Sequence, residues 1–292
     1  MKVGFVGLGI MGRPMAMNLL KGGHTLAVWA RRAESMKPLT DAGAHRCGSP
    51  EDVARQSEAV FTMVSDTPDV EAVILGPDGI MHGAAAGTVV VDMSTISAAA
   101  TRDIAQQLRS SGVEMLDAPV SGGEAGAVAG TLSIMVGGPA EVFERMQQLL
   151  ACMGKNIVHI GDNGAGQVAK SCNQIVAAVT LEAVAEALTL ARRNGVDPVR
   201  AREALLGGYA WSKVLEVHGE RMLERDFKPG FKSRLHRKDL RIVTDIAAGL
   251  DLFLPQTELV AGHLAALAGL DGGEQDSGAL VRVLERRAGE ER

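Results

Sequence analysis

Cysteine is scarce. Cys47, Cys152 and Cys172 are the only three in 292 residues, an odd number, far apart, and without the Cys-x-x-Cys spacing of metal or redox sites. They exclude a disulfide scaffold and read as reduced core residues of a cytoplasmic protein. A basic stripe is missing too: the net charge is -5 with both signs interspersed, which argues against a phosphate-backbone partner such as nucleic acid. No uninterrupted apolar run approaches the roughly 20 residues that cross a bilayer. The most apolar stretch, after Gly166, is interrupted by Lys170, Asn173, Glu182 and Glu186, so no membrane partner is expected. The chain opens directly on a strand pattern, Met1-Lys2-Val3-Gly4-Phe5-Val6, which leaves no room for a cleavable signal and agrees with a cytoplasmic setting. No His, Cys, Asp or Glu set has metal-ligand spacing, and no repeat or low-complexity tract is visible.

What is present is the ordinary balance of a folded body, 46% hydrophobic and 22% charged residues, in a chain longer than a usual single domain. Short β-rich runs recur between helix-like runs: Lys2–Val6, Thr25–Trp29, Ala59–Val64, Thr88–Met93, Val113–Asp117, Leu132–Val136 and Asn156–Ile160. Strands alternating with helices imply an α/β domain, a mainly parallel, doubly wound sheet covered by helices. Ser49-Pro50-Glu51-Asp52 is a helix start, with a hydroxyl cap, a first-turn proline and acids at the positive end of the helix dipole. Near Gly161-Asp162-Asn163-Gly164 the β-branched runs cease, which places a boundary between residues 1–163 and an all-α region, 164–292. That region opens with one long helix from about Ala165 to Arg193, stopped by Asn194-Gly195 and Pro198. The last expected helix is Ala279–Arg287.

Gly7-Leu8-Gly9-Ile10-Met11-Gly12 sits between the first strand and a helix, the context in which G-x-G-x-x-G binds a dinucleotide. Gly7 allows the tight turn, Gly9 the approach of a pyrophosphate and Gly12 close helix–strand packing. The second strand ends in Trp29-Ala30-Arg31-Arg32, where an NAD site usually presents an acid to the ribose 2′-hydroxyl. Two guanidinium groups there, with no carboxylate to repel a 2′-phosphate, favour NADP(H) over NAD(H); a pair of solvated arginines is the plainer reading.

From Gly7 through Leu19 the chain resembles the amino-terminal signature of the β-hydroxyacid dehydrogenases, the family of 3-hydroxyisobutyrate dehydrogenase and tartronate semialdehyde reductase. Further blocks follow in order: Asp92-Met93-Ser94-Thr95, Asp117-Ala118-Pro119-Val120-Ser121-Gly122-Gly123, Gly166-Gln167-Val168-Ala169-Lys170-Ser171-Cys172-Asn173-Gln174, Phe227-Lys228-Pro229-Gly230-Phe231 and Lys238-Asp239-Leu240. The resemblance implies a Rossmann domain, a long connecting helix, a helical domain supporting homodimers or homotetramers, and a cleft between domains. It implies Thr95, Met63 and Val64 beside the nucleotide, Lys238 approaching it, and Ser121-Gly122-Gly123 holding a substrate carboxylate through a hydroxyl and consecutive N–H groups. Lys170 is the implied acid–base residue, its ammonium protonating the alkoxide left by hydride transfer. Asn173 and Gln174, three and four positions on, share its helix face, and one of the two orients substrate or lysine; Phe231 is a candidate wall of the substrate side.

Many members have Asn-Asn where this chain has Asn173-Gln174. That pair, and Glu124 after Ser-Gly-Gly, resemble the members acting on 2-hydroxy-3-oxopropanoate. Semialdehydes or hydroxy acids of the 3-hydroxyisobutyrate, 4-hydroxybutyrate, glyoxylate or succinic type stay open, because one methylene changes discrimination by only ~1–3 kcal/mol. Lys170 argues against two other classes, an imine reductase with a different proton donor and a cofactor-bound interaction protein without catalysis.

Overall fold

A computed structural model describes residues 1–289; the last three residues of the helical region expected from the sequence lie outside that range. The chain forms two compact units, Met1–Lys170 and Ser171 to the C-terminus.

The first unit is built on nine strands: β1 (Lys2–Val6), β2 (Thr25–Trp29), β3 (His45–Arg46), β4 (Ala59–Thr62), β5 (Val89–Asp92), β6 (Glu114–Asp117), β7 (Val120–Ser121), β8 (Leu132–Gly137) and β9 (Gly154–Gly161). The order is β3-β2-β1-β4-β5-β6-β8-β7, with β9 on β8. The first six strands are parallel, β8 runs antiparallel to β6 and β7, and β9 is parallel to β8. Two strands, β3 and β7, are additions to the sequence reading; each is two residues long, too short to carry an alternation pattern. Successive residues of the central strands enter opposite cores. Phe5, Val28, Phe61 and Val91 join one apolar cluster while Val6, Ala27, Val60 and Val90 join another, the two-sided burial that the apolar runs require.

Helices of this unit are α1 (Gly12–Lys21), α2 (Lys37–Asp41), α3 (Pro50–Arg55), α4 (Thr67–Leu75), α5 (Ile80–Gly83), α6 (Ala98–Ser110), α7 (Gly123–Ala129) and α8 (Ala140–Ala151). At α3 the expected cap is present: Ser49 Oγ accepts from Asp52 N at 3.1 Å, with Pro50 in the first turn. The expected strand Ala59–Val64 ends at Thr62, so Met63 and Val64 lie just past its carboxyl end.

Helix α9 (Ala165–Arg193) spans the range read from the sequence, and Gly195 after it is left-handed at φ 72°. It is long and apolar enough to cross a membrane by length and composition alone. In the second unit, however, Ala178, Leu181, Val184, Ala185 and Leu188 are core, packed with residues of α11 (Lys213–Glu224), α12 (Ser233–Gly249), α13 (Pro255–Ala268) and α14 (Val281–Arg287); α10 (Pro198–Leu206) precedes them. Ala178, Val184 and Ala185 of α9 are thus engaged within the chain. The thiols also depart from expectation: Cys47 is buried, but Cys152 is half-buried and Cys172 exposed. Cys172 is two residues from buried Lys170, about 200° around the helix and so on its opposite face.

Candidate active site

The turn after β1 is sterically specified. Gly7 has φ 97°, and a Cβ there would lie 2.3 Å from Met63 O; a Cβ at Gly12 would lie 2.0 Å from Gly7 O. Gly9 meets nothing within 4 Å. It opens onto free space with Ile10 and half-buried Met11, while Leu8 is buried beneath. The N–H groups of Gly9, Ile10 and Met11 have no acceptor among the described residues. No acid occupies the first turn of α1. Open amides at the positive end of a helix dipole are an anion cradle.

Arg31 and Arg32 are exposed just past β2. The expectation of no carboxylate at this end needs correction, because Arg31 Nη1 lies 3.5 Å from Asp69 Oδ1. Asp69 is in the first turn of α4, and α4 starts just past β4, at the edge of the sheet where β2 also ends, so the distance along the chain concealed the contact. With the Arg31 side chain 82% exposed, this pair is weak and easily exchanged for another anion.

Three buried polar side chains organise the carboxyl ends of β4, β5 and β6. Asp92 Oδ1 accepts from Thr62 Oγ1 at 2.7 Å and from Ser94 N at 3.2 Å; Ser94 Oγ in turn accepts from Val64 N at 3.0 Å. Asp117 accepts from Gly164 N at 2.8 Å and Gln167 N at 3.0 Å, capping α9. Gln167 brackets Thr95: its Oε1 accepts from Ile96 N and its Nε2 donates to Ser94 O. Half-buried Thr95 is therefore held on both sides from the first turn of the helix that carries Lys170. Asp92, Asp117 and Gln167 stand inside the family-like blocks, yet nothing in the linear sequence gives them a role.

Burial, partly offset by Thr62 and Ser94 and reinforced by the charge of Asp117, pushes Asp92 up to about 6; burial also raises Asp117. Among the described residues Asp92 Oδ2 is buried without a partner, which acts in the same direction by disfavouring the charged form. Because the folded-state value exceeds the unfolded one, the stability from this group is full below about pH 4 and is lost as pH rises through about 6, on the order of 3 kcal/mol in all. Asp92→Asn keeps an acceptor for Thr62 and Ser94. The fall in urea midpoint between about pH 4 and 6 should be shallower in this variant than in the native protein; parallel profiles would show that Asp92 does not titrate there.

Beyond the carboxyl end of β6, Ser121 closes β7 and is followed by Gly122 (φ 135°) and Gly123 (φ 61°), both exposed. Two positive φ angles in succession suit glycine alone, and they lead directly into α7, whose first N–H groups have no partner within their own helix.

In the second unit the residues after Lys170 form a directed chain. Asn173 Nδ2 donates to Gln174 Oε1 at 2.8 Å, Gln174 Nε2 donates to Asp239 Oδ2 at 2.6 Å, and Lys238 Nζ lies 2.8 Å from Asp239 Oδ1. Gln174 and Asp239 are buried, at 4% and 3% exposure. Asp239 escapes sequence reading although it stands beside Lys238; nothing linear connects it to Gln174, 65 residues earlier. Phe231 is half-buried and packs its ring 5.3 Å from that of His236. Its loop hangs on Asp276, buried to 1%, which accepts from Gly230 N, Phe231 N and Gly278 N and faces Arg221 Nη1 at 2.9 Å and His218 Nδ1 at 3.3 Å. Burial alone would raise this carboxyl, but the His218 and backbone donors overcome it and hold it at about 2.

Lys170 retains only 7% of its surface. A lysine is almost never this buried without a task or a partner.

Residues 2–161 match the NAD binding domain of 6-phosphogluconate dehydrogenase, and residues 164–284 match the family described as NAD-binding of NADP-dependent 3-hydroxyisobutyrate dehydrogenase. Over 292 residues the chain is 48% identical to 2-hydroxy-3-oxopropionate reductase of Escherichia coli, covering 99% of this chain and 98% of that protein. The chain belongs to the 3-hydroxyisobutyrate dehydrogenase-like family. A 3-hydroxyisobutyrate dehydrogenase of Pseudomonas aeruginosa is 38% identical, with 91% of this chain and 89% of that one covered. Among solved structures, the Mycobacterium tuberculosis 3-hydroxyisobutyrate dehydrogenase with L-serine superposes at TM-score 0.89 and 31% identity, covering 97% and 98%. The protein is a β-hydroxyacid dehydrogenase that uses a nicotinamide dinucleotide, NADP(H) or NAD(H), and acts on a small carboxylate. The glycine turn fits that cofactor: Gly9, the one glycine of the motif whose added Cβ would meet nothing, lies beside amides without an acceptor among the described residues, where a pyrophosphate would be held.

Proposed function

We propose that the enzyme is an NADPH-dependent reductase of 2-hydroxy-3-oxopropanoate, with Lys170 as the proton donor. Identity of 48% along nearly the whole length of a protein named for that reaction carries the substrate assignment. Relatives at 36% are named for 2-(hydroxymethyl)glutarate and for L-serine, so the family's range is wide and other short semialdehydes are competing substrates.

When bound, the cofactor supplies a hydride to the aldehyde carbon. Gly7–Gly12 hold its pyrophosphate, Arg31 and Arg32 its 2′-phosphate, and Met63, Val64, Thr95 and Lys238 flank it. Ser121, Gly122 and Gly123 bind the substrate carboxylate, Phe231 borders it, and Asn173 contacts it. The Lys170 ammonium stabilises the developing alkoxide and gives it a proton; in the reverse direction the neutral amine removes it. Assembly as a homodimer or homotetramer belongs to the same reading, supported by exposed Val176 and Leu190 on α9, as does a cytoplasmic setting, supported by three unpaired thiols.

Initial rates with NADPH and NADH across short semialdehydes test substrate and cofactor together; a higher kcat/KM for another semialdehyde acid would displace 2-hydroxy-3-oxopropanoate. kcat/KM should be higher with NADPH, and Arg31→Asp should reverse the order. Equal use of both cofactors by the native enzyme would sink the assignment of the guanidinium groups to a 2′-phosphate.

A further inference from the structure

The amides of Asn173 and Gln174 are ordered by what lies at the end of their chain. An ionised carboxylate accepts hydrogen bonds and cannot donate, and Asp239 already faces Lys238 Nζ at 2.8 Å. Gln174 must therefore turn its NH2 toward Asp239, at 2.6 Å, which leaves its Oε1 to accept from Asn173 Nδ2, at 2.8 Å. Asn173 in turn must direct its nitrogen to Gln174 and its carbonyl oxygen away. Asn173 is half-buried, and among the described residues its Oδ1 is not an atom left buried without a partner. An amide is otherwise ambiguous between its two ends; here the network assigns them.

We propose that Asp239 is a positioning residue that acts through Gln174 to fix the polarity of the Asn173 amide, so that Asn173 offers an acceptor and selects substrates bearing a hydroxyl on the carbon next to the reacting aldehyde. This rests on the reading that Asn173 contacts substrate. An acceptor rewards a hydroxyl, which donates, and gives nothing to a hydrogen or a methyl group at the same carbon. Two acids that differ in this hydroxyl alone, 2-hydroxy-3-oxopropanoate and 3-oxopropanoate, isolate the contribution.

In Asp239→Asn the end of the chain can donate. Gln174 is then free to reverse, with its Nε2 toward Asn173, and the outward end of Asn173 becomes its NH2. The experiment compares kcat/KM for the two acids at saturating cofactor in the native enzyme, Asp239→Asn and Asn173→Ala. The native enzyme should prefer the hydroxylated acid, and both variants should lower that preference by about three- to ten-fold, the worth of one uncharged hydrogen bond. In Asp239→Asn the loss should fall mainly on the hydroxylated acid, whereas a general loosening of the helical unit would depress both acids alike. An unchanged preference in a turning-over Asp239→Asn enzyme overturns the relay, and an unchanged preference in Asn173→Ala removes the acceptor itself. Failure of the underlying substrate reading looks different: the native enzyme would turn over neither acid.

Discussion

Lys170→Ala should leave cofactor binding nearly intact and collapse turnover. The dinucleotide is assigned to Gly7–Gly12, Arg31 and Thr95, so its Kd, measured by fluorescence titration of NADPH, should change less than about two-fold. Loss of a general acid–base group lowers kcat by ~10²–10⁴-fold, and loss of a charge facing an oxyanion adds to it. Lys170→Arg should not restore the rate, because a guanidinium keeps its charge but does not release a proton near neutral pH. An alanine variant retaining more than about a tenth of native kcat, far above the loss expected for an acid–base residue, would move the proton donor to Lys238 or a bound water.

The second large effect separates folding from binding within one motif. At Gly9 an added methyl group meets no protein atom, so Gly9→Ala should unfold at the same temperature as the native enzyme. The same methyl group would stand where the pyrophosphate approaches, and NADPH affinity should drop by about two orders of magnitude or more, since close contact with the open amides is lost. Gly12→Ala, by contrast, places its Cβ 2.0 Å from a carbonyl oxygen within the turn and should lower stability as well as affinity. Normal NADPH affinity in Gly9→Ala would show that the cofactor does not cross the turn at this point.

How much of this can be read from the chain differs by the range of the signal. Strands β1 and β2, the cap at Ser49 and the limits of α9 are local: short apolar runs, a hydroxyl before a proline, and a glycine after the last turn sit within a few residues of what they specify. The glycine turn is legible for the same reason. Arg31 against Asp69, Gln167 around Thr95 and Gln174 on Asp239 are not, because each joins segments tens of residues apart through a side chain whose neighbours carry no periodic pattern. Burial hides the rest. Asp92 and Asp117 look in sequence like solvated strand ends, and only closure of the sheet makes them buried carboxyls.

Pinning α9 at its first turn has a mechanical side. Asp117 and Gln167 fix that turn from the ends of β5 and β6, so any tilt of the helix axis about it would displace a residue in proportion to its distance from that turn. Lys170 stands about 4.5 Å along the axis from Gln167 at 1.5 Å per residue, and a tilt of about 5° would displace it by roughly 0.4 Å. About five turns further on, the same tilt would move a side chain by roughly 3 Å, well beyond the roughly 0.5 Å tolerance of a working catalytic geometry. The short arm is where a group needing positional accuracy belongs.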